Sequence, residues 1–215
     1  MASLKSILRN IRREIKEFSK MRENVQADIR KAASLSKQAI LQVHRRKMNE
    51  AQKLLEKAGE IIRKMTQFAK ENPDIVHGGM FNAALQEYAE ACILVKLIKE
   101  SSFASPEEIG VPPIDYTLGL ADVIGECRRV ALDSLREGDV EKSESFLQLM
   151  EEIYLELLSL DDAFMLVPGL RRKCDVARRI IEATRGDVTL EVRRQKLEKH
   201  LERIERLQKE YSLKQ

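Results

Sequence analysis

The chain has 215 residues with 38 Lys and Arg against 35 Asp and Glu, few aromatics and no Trp. That length buries one substantial core, or two. A composition led by Leu, Ala, Glu, Lys and Arg, with apolar periods of three and four, means long helices. A net charge of +3 does not announce a nucleic-acid partner by itself, so the distribution of charge matters more. No apolar run reaches bilayer length and no signal-peptide pattern is seen, so a cytoplasmic location off the membrane is expected.

From Leu4 to Ala69 there is no proline, and Gly59 is the only glycine. Apolar residues recur from Leu4, Ile7, Leu8, Ile11 and Ile15 through Val43, and again from Met48 to Phe68. The spacing predicts two long helices broken in His44-Arg45-Arg46-Lys47. Asn72-Pro73-Asp74 and Gly78-Gly79 punctuate a loop. A third helix is predicted over about 80–99, then a short turn carrying Ile109, then a fourth helix over about 115–137 ended by Gly138. A fifth covers about 140–160. Pro168-Gly169 breaks the chain before a sixth helix from Leu170 to about Thr184. Gly186-Asp187 is expected to separate it from a last helix over 189–211. In that helix Leu190, Leu197, Leu201, Ile204, Leu207 and Tyr211 form a narrow heptad-like stripe suited to one partner helix.

There is no β-type alternation and no internal repeat, so the expected fold is all-α, a bundle of about six or seven helices. The expected organisation is a helical domain over 1–187. Residues 188–215 form a helical extension packing on the same domain or on a neighbouring subunit. Cys92, Cys127 and Cys174 are widely spaced within helical apolar patterns, which fits reduced, buried thiols.

Four carboxylates stand out. Glu87 and Glu90 are three apart and Asp122 and Glu126 four apart, so each pair shares one helix face. Their helices are apolar almost all round, as buried helices are. Buried carboxylates are costly unless paired or bound to metal. Two such pairs facing each other make a hard-oxygen nest for Mg²⁺ or Mn²⁺, able to activate water against a phosphodiester. The bland reading is pairing with Arg, Lys or backbone; Lys96 and Arg128 are the nearest cations along the sequence.

A second constellation is basic. Arg30, Lys37 and His44 are seven apart on one helix face, and Arg45 extends them. Alone, such a face is more often merely solvated. Arg171-Arg172-Lys173 opens a helix, where cations oppose the helix dipole and an anionic partner explains them better than stability does. Other signals are missing: no Gly-rich phosphate loop, no Glu-x-x-His pair of ferritin-like sites, no nucleophile motif, and no aromatic-rich strand of a sheet-type RNA binder.

The segment Ile114-Asp115-Tyr116-Thr117-Leu118-Gly119-Leu120-Ala121-Asp122-Val123-Ile124-Gly125-Glu126 resembles the signature of the translin superfamily. Gln86-Glu87-Tyr88-Ala89-Glu90-Ala91 and the stretch from Ser36-Lys37 to His44-Arg45 are similar to translin-associated factor X (TRAX) rather than translin. Leu170 to Asp175 and Arg185-Gly186 are also similar to family segments. The resemblance covers about residues 20–187 and points to a single-subunit form of archaeal or prokaryotic type. It implies an all-α homo-oligomer, an octamer, enclosing RNA, with single-stranded DNA as a further ligand. It also implies a metal-dependent endoribonuclease with Glu87, Glu90 and Asp122 as catalytic and metal-binding residues. Glu126 joins them by its i,i+4 spacing to Asp122, and Arg30, Lys37, His44, Arg45, Arg171, Arg172 and Lys173 are the expected RNA contacts. Two features depart from the family. The stretch matching translin's basic third-helix segment is acidic here, and the last helix runs longer.

Two other functions compete. One is a translin-like nucleic-acid-binding oligomer without turnover. The other is an all-α Mg²⁺-dependent nucleotide pyrophosphohydrolase, whose second acidic pair usually runs in the reverse order to Asp122 and Glu126.

Overall fold

The computed structural model describes residues 3–76, 78–160 and 163–212, almost all of them helical, with no strand among them. The chain divides into two compact units, Met1–Val123 and Ile124–Gln215.

In the first unit, α1 (Leu4–His44) and α2 (Met48–Glu71) form an antiparallel hairpin. The break falls in the basic stretch predicted for it: Arg46 takes a left-handed φ of 60°, and Arg45 N–H donates back to the Leu41 carbonyl. Only the C-terminal part of α1 packs, from Val25 onward, while Leu4, Ile7, Leu8, Ile11, Ile15 and Phe18 are exposed. Alanines at 32, 39, 51, 58, 84, 89 and 91 are fully or almost fully buried and let the helix axes approach closely. The predicted loop after α2 contains a single helical turn, α3 (Pro73–Val76), because proline suits the first helical position. The central helix is α4 (Gly79–Glu100), with Ile93 and Leu94 fully buried. Next comes α5 (Pro106–Ile109), opened by a Ser105/Glu108 capping box. The first half of α6 (Pro113–Arg136) completes this unit.

The second unit holds the rest of α6, then α7 (Val140–Ser159), α8 (Ala163–Leu166) and α9 (Leu170–Ser212). Gly138, at φ 80°, ends α6, and the Asp139 carboxylate accepts from Lys142 N–H at 3.0 Å to start α7. One expectation fails here. The Gly186-Asp187 break does not exist, and α9 runs unbroken through it. A single glycine inside a helix costs only about 1 kcal/mol, and tertiary bonds outweigh it. The Arg128 guanidinium donates to Thr184 Oγ1 at 2.7 Å and to Asp187 Oδ2 at 3.1 Å, and Val188 is buried. Residue 188 is therefore an interior position of one helix. The Tyr211 side chain and residues 213–215 of the predicted stripe and extension lie outside the described residues.

Candidate functional site

α4 is apolar on most of its circumference because it lies against both α1 and α2. Glu87 and Glu90 interrupt that surface and are half-buried. The start of α6 is fastened to the same helix by two devices. First, the buried Asp115 carboxylate accepts from Asn82 Nδ2 at 3.2 Å and from Gln86 Nε2 at 3.1 Å. Its place in the first turn of α6 also suits the helix dipole. Second, Gly119 lets the backbones close up. A Cβ there would stand 2.7 Å from the Gln86 carbonyl oxygen, 2.9 Å from Ala89 Cβ and 3.1 Å from Glu90 N. Asp122 follows Gly119 by three residues, so this clamp carries it along the Glu90 side of α4. Glu126 lies one turn further on α6.

The charge environment differs from the one spacing suggested. Lys96 is bound to Glu108 and Arg128 to Asp187. A cation that reaches Glu87 comes from α1: Lys37 Nζ donates to Glu87 Oε1 at 3.0 Å. Glu87 Oε2 is buried with no hydrogen-bond partner. A buried acceptor left bare is expensive, and it is the kind of atom a hard cation completes. The donor chemistry, all carboxylate oxygen, also suits Mg²⁺ or Mn²⁺. In the arrangement at hand, though, no three His, Cys, Asp or Glu side chains among the described residues gather closely enough to hold an ion.

Of the basic residues, Arg30, Lys37 and His44 share one face of α1, with Arg30 and Lys37 exposed and His44 partly covered. Arg45 caps α1 and is exposed. Arg171 and Arg172 are exposed at the start of α9 in the second unit, and Lys173 is partly covered. Sequence reasoning missed the Lys37–Glu87 pair and the Asp115–Asn82–Gln86 network. Both join residues far apart in the chain, so no local spacing encodes them. Tyr88 and Cys92, four apart on α4, are hydrogen-bonded to each other, and burial pushes the tyrosine well above its usual range. Gly59 makes room for that phenol, since a Cβ there would meet Tyr88 Oη at 2.5 Å.

The chain matches the Translin family over residues 3–213. It is 35% identical over 128 residues to an uncharacterised protein of Methanocaldococcus jannaschii, MJ0175. That alignment takes in 59% of this chain and 57% of the relative, so the chain spans little more than half of that relative's length. Among solved structures it is similar to AfC3PO, at 35% identity and a TM-score of 0.76, covering 86% of this chain and 96% of that one. A complex of AfC3PO with duplex RNA matches at 34% identity and a TM-score of 0.75, covering 86% and 95%. Apo-NeC3PO matches at 27% identity and 0.78, covering 88% and 100%.

Proposed function

The chain belongs to the Translin family, and from that premise we propose that it is an RNA-binding homo-oligomer, an octamer, that cleaves RNA with Mg²⁺ or Mn²⁺ in the cytoplasm. The observation that carries this reading is the Lys37–Glu87 pair, an ion pair that joins the basic face of α1 to the acidic face of α4. A similar structure holding duplex RNA supports the choice of ligand.

Arg30, Lys37, His44 and Arg45 take the backbone phosphates, with Arg171, Arg172 and Lys173 as further contacts. Such contacts position RNA without reading its sequence and weaken steeply with salt. Glu87, Glu90 and Asp122 are the residues to hold the ion, with Glu126 as a further ligand. When bound, a divalent ion lowers the pKa of its water and offsets charge building on the phosphodiester. Lys37 has two claimants, the Glu87 carboxylate and a phosphate. An arriving phosphate draws it from Glu87 Oε1 and frees that oxygen. Asp115 and Gly119 hold α6 in register, so that Asp122 stays beside α4.

A second reading, binding without turnover, is favoured by the absence of a gathered three-carboxylate group among the described residues. Labelled RNA incubated with and without Mg²⁺ or Mn²⁺ separates the two. Cleavage that needs the metal and is lost in Asp122→Asn supports the nuclease. Binding without cleavage under every metal condition supports the second reading.

A further inference from the structure

One register runs the whole length of α1. Leu4, Leu8, Ile11, Ile15 and Phe18 alternate by four and three, and Val25, Ile29 and Ala32 carry the same alternation into the core. These are heptad positions a and d. Arg9, Lys16, Arg30, Lys37 and His44 hold position b of that repeat, broken once by Glu23, while Arg13 and Lys20 hold position f. Positions b and f face away from the a and d seam, so whatever the seam packs against leaves this row accessible. At 1.5 Å per residue, the stretch 4–24 that precedes the first buried residue, Val25, is about 30 Å long.

The cations of this stretch differ from an ordinary solvated face. From Lys5 to Lys20 there are six cations, Lys5, Arg9, Arg12, Arg13, Lys16 and Lys20, against two acids, Glu14 and Glu17. All six are exposed, and none has an ion-pair partner among the described residues, whereas Arg194 and Arg206 of α9 are each tied to a glutamate four residues away. The first turn carries no acid, and Lys5 stands there against the helix dipole. Stability therefore does not explain the charge, and an anionic partner does. An acidic membrane would take up the apolar face and turn positions b and f toward water. A nucleic acid lies along the row itself, which continues at Arg30 and Lys37. A straight line of charge suits a duplex, whose phosphates are held at fixed spacing and read by shape.

We propose that residues 5–20 of α1 form an arm that extends the phosphate contacts beyond the packed core and makes long duplex RNA the preferred ligand. The inference rests on the RNA-binding reading above and on nothing about metal or cleavage.

The test is a full-length Arg9→Gln, Arg13→Gln, Lys16→Gln, Lys20→Gln chain, bound in EDTA to labelled RNA duplexes of about 8 and about 24 base pairs. Glutamine is a good helix former, so helicity should hold. The parent is expected to bind the long duplex much more tightly than the short one. The variant should lose about tenfold or more on the long duplex and little on the short, with a salt slope on the long one shallower by about three. Arg9→Lys, Arg13→Lys keeps the charge and should bind as the parent does. Unchanged affinity and slope of the glutamine variant on the long duplex overturn the proposal, as does an equal loss on both lengths or an equal loss in the lysine variant. Cosedimentation with phosphatidylglycerol vesicles that the glutamine variant alone loses, with RNA binding unaltered, overturns it in favour of a lipid surface. A parent that binds neither duplex removes the RNA-binding reading as well, whereas a parent that binds both equally removes this inference alone.

Discussion

Lys37 on α1 and Glu87 on α4 form a 3.0 Å ion pair that ties the basic face of one helix to the acidic face of another. Lys37 is 68% exposed and Glu87 26%, so the pair adds at most about 1 kcal/mol to stability. Its consequence lies in competition. While Lys37 holds Glu87 Oε1, that oxygen serves neither a metal nor a substrate proton.

Lys37→Met is therefore expected to leave the melting temperature nearly unchanged, tighten Mn²⁺ binding in calorimetry, and weaken RNA binding. The slope of log affinity against log salt should become shallower by about one, the mark of one lost phosphate contact. Weaker Mn²⁺ binding in this variant would show that Lys37 does not compete for Glu87.

Asp122→Asn keeps the shape of the side chain and removes its charge. It is expected to fold, assemble and bind RNA with near-normal affinity, and to lose roughly a hundredfold in cleavage rate, the scale of one key electrostatic group. Glu87→Gln should behave alike. Near-normal cleavage by both, in protein free of contaminating nuclease, would assign these carboxylates a structural role.

Periodicity carried the architecture where one face of a helix meets one neighbour. The α1–α2 break, the ends of α4 and the α6–α7 turn at Gly138 all stand close to the predicted positions, because caps and apolar spacing are local signals. Gly186 misled because the fate of one glycine depends on what spans it, and Arg128 reaches Thr184 and Asp187 from another helix. The acidic pairs were legible as i,i+3 and i,i+4 faces. Their partners were not. Lys96 and Arg128, near in sequence, are tied to Glu108 and Asp187, while Lys37, fifty residues before Glu87, reaches Glu87.

The buried Cys127 thiol and the partly covered Cys92 thiol make the alkaline limb of stability predictable. Burial pushes Cys92 up to about 12, with Glu108 adding to it against a hydrogen bond from Tyr88. Burial, then the Glu126 charge, pushes Cys127 up to about 12. In the unfolded chain both ionise near 9.0. Below that pH the thiols are protonated in both states and add no pH dependence. Between about 9 and 12 the unfolded state alone loses the protons, so stability falls with rising pH, by up to about 1.4 kcal/mol per unit for each thiol. Denaturation across pH 8 to 11 should show this fall, and Cys92→Ala, Cys127→Ala should make it shallower, with the buried Tyr88 phenol sustaining part of it above pH 10. At pH 8, Ellman's reagent should label the native chain slowly at these two positions and the unfolded chain at once. Rapid labelling of both in the native protein would contradict the burial.

Gly119 and Gly125 offer a matched pair of substitutions six residues apart on α6. Alanine is the better helix former at both, by about 1 kcal/mol, so any difference must come from packing. At Gly125 an added Cβ meets nothing within 4 Å, and Gly125→Ala should raise stability by about 0.5–1 kcal/mol. At Gly119 it would lie 2.7 Å from the Gln86 carbonyl and 2.9 Å from Ala89 Cβ. The first is backbone of the central helix and cannot swing aside as a side-chain tip can. Overpacking of this kind costs about 1–3 kcal/mol, enough to cancel or exceed the propensity gain. Relief requires α6 to move off α4, which lengthens the Asp115 bonds to Asn82 and Gln86 and draws Asp122 away from Glu90. Gly119→Ala should thus lower the melting temperature and depress RNA cleavage together, while leaving the α1 face and RNA affinity largely intact. A Gly119→Ala protein as stable as Gly125→Ala would mean that the close approach of these two helices does not hold the site.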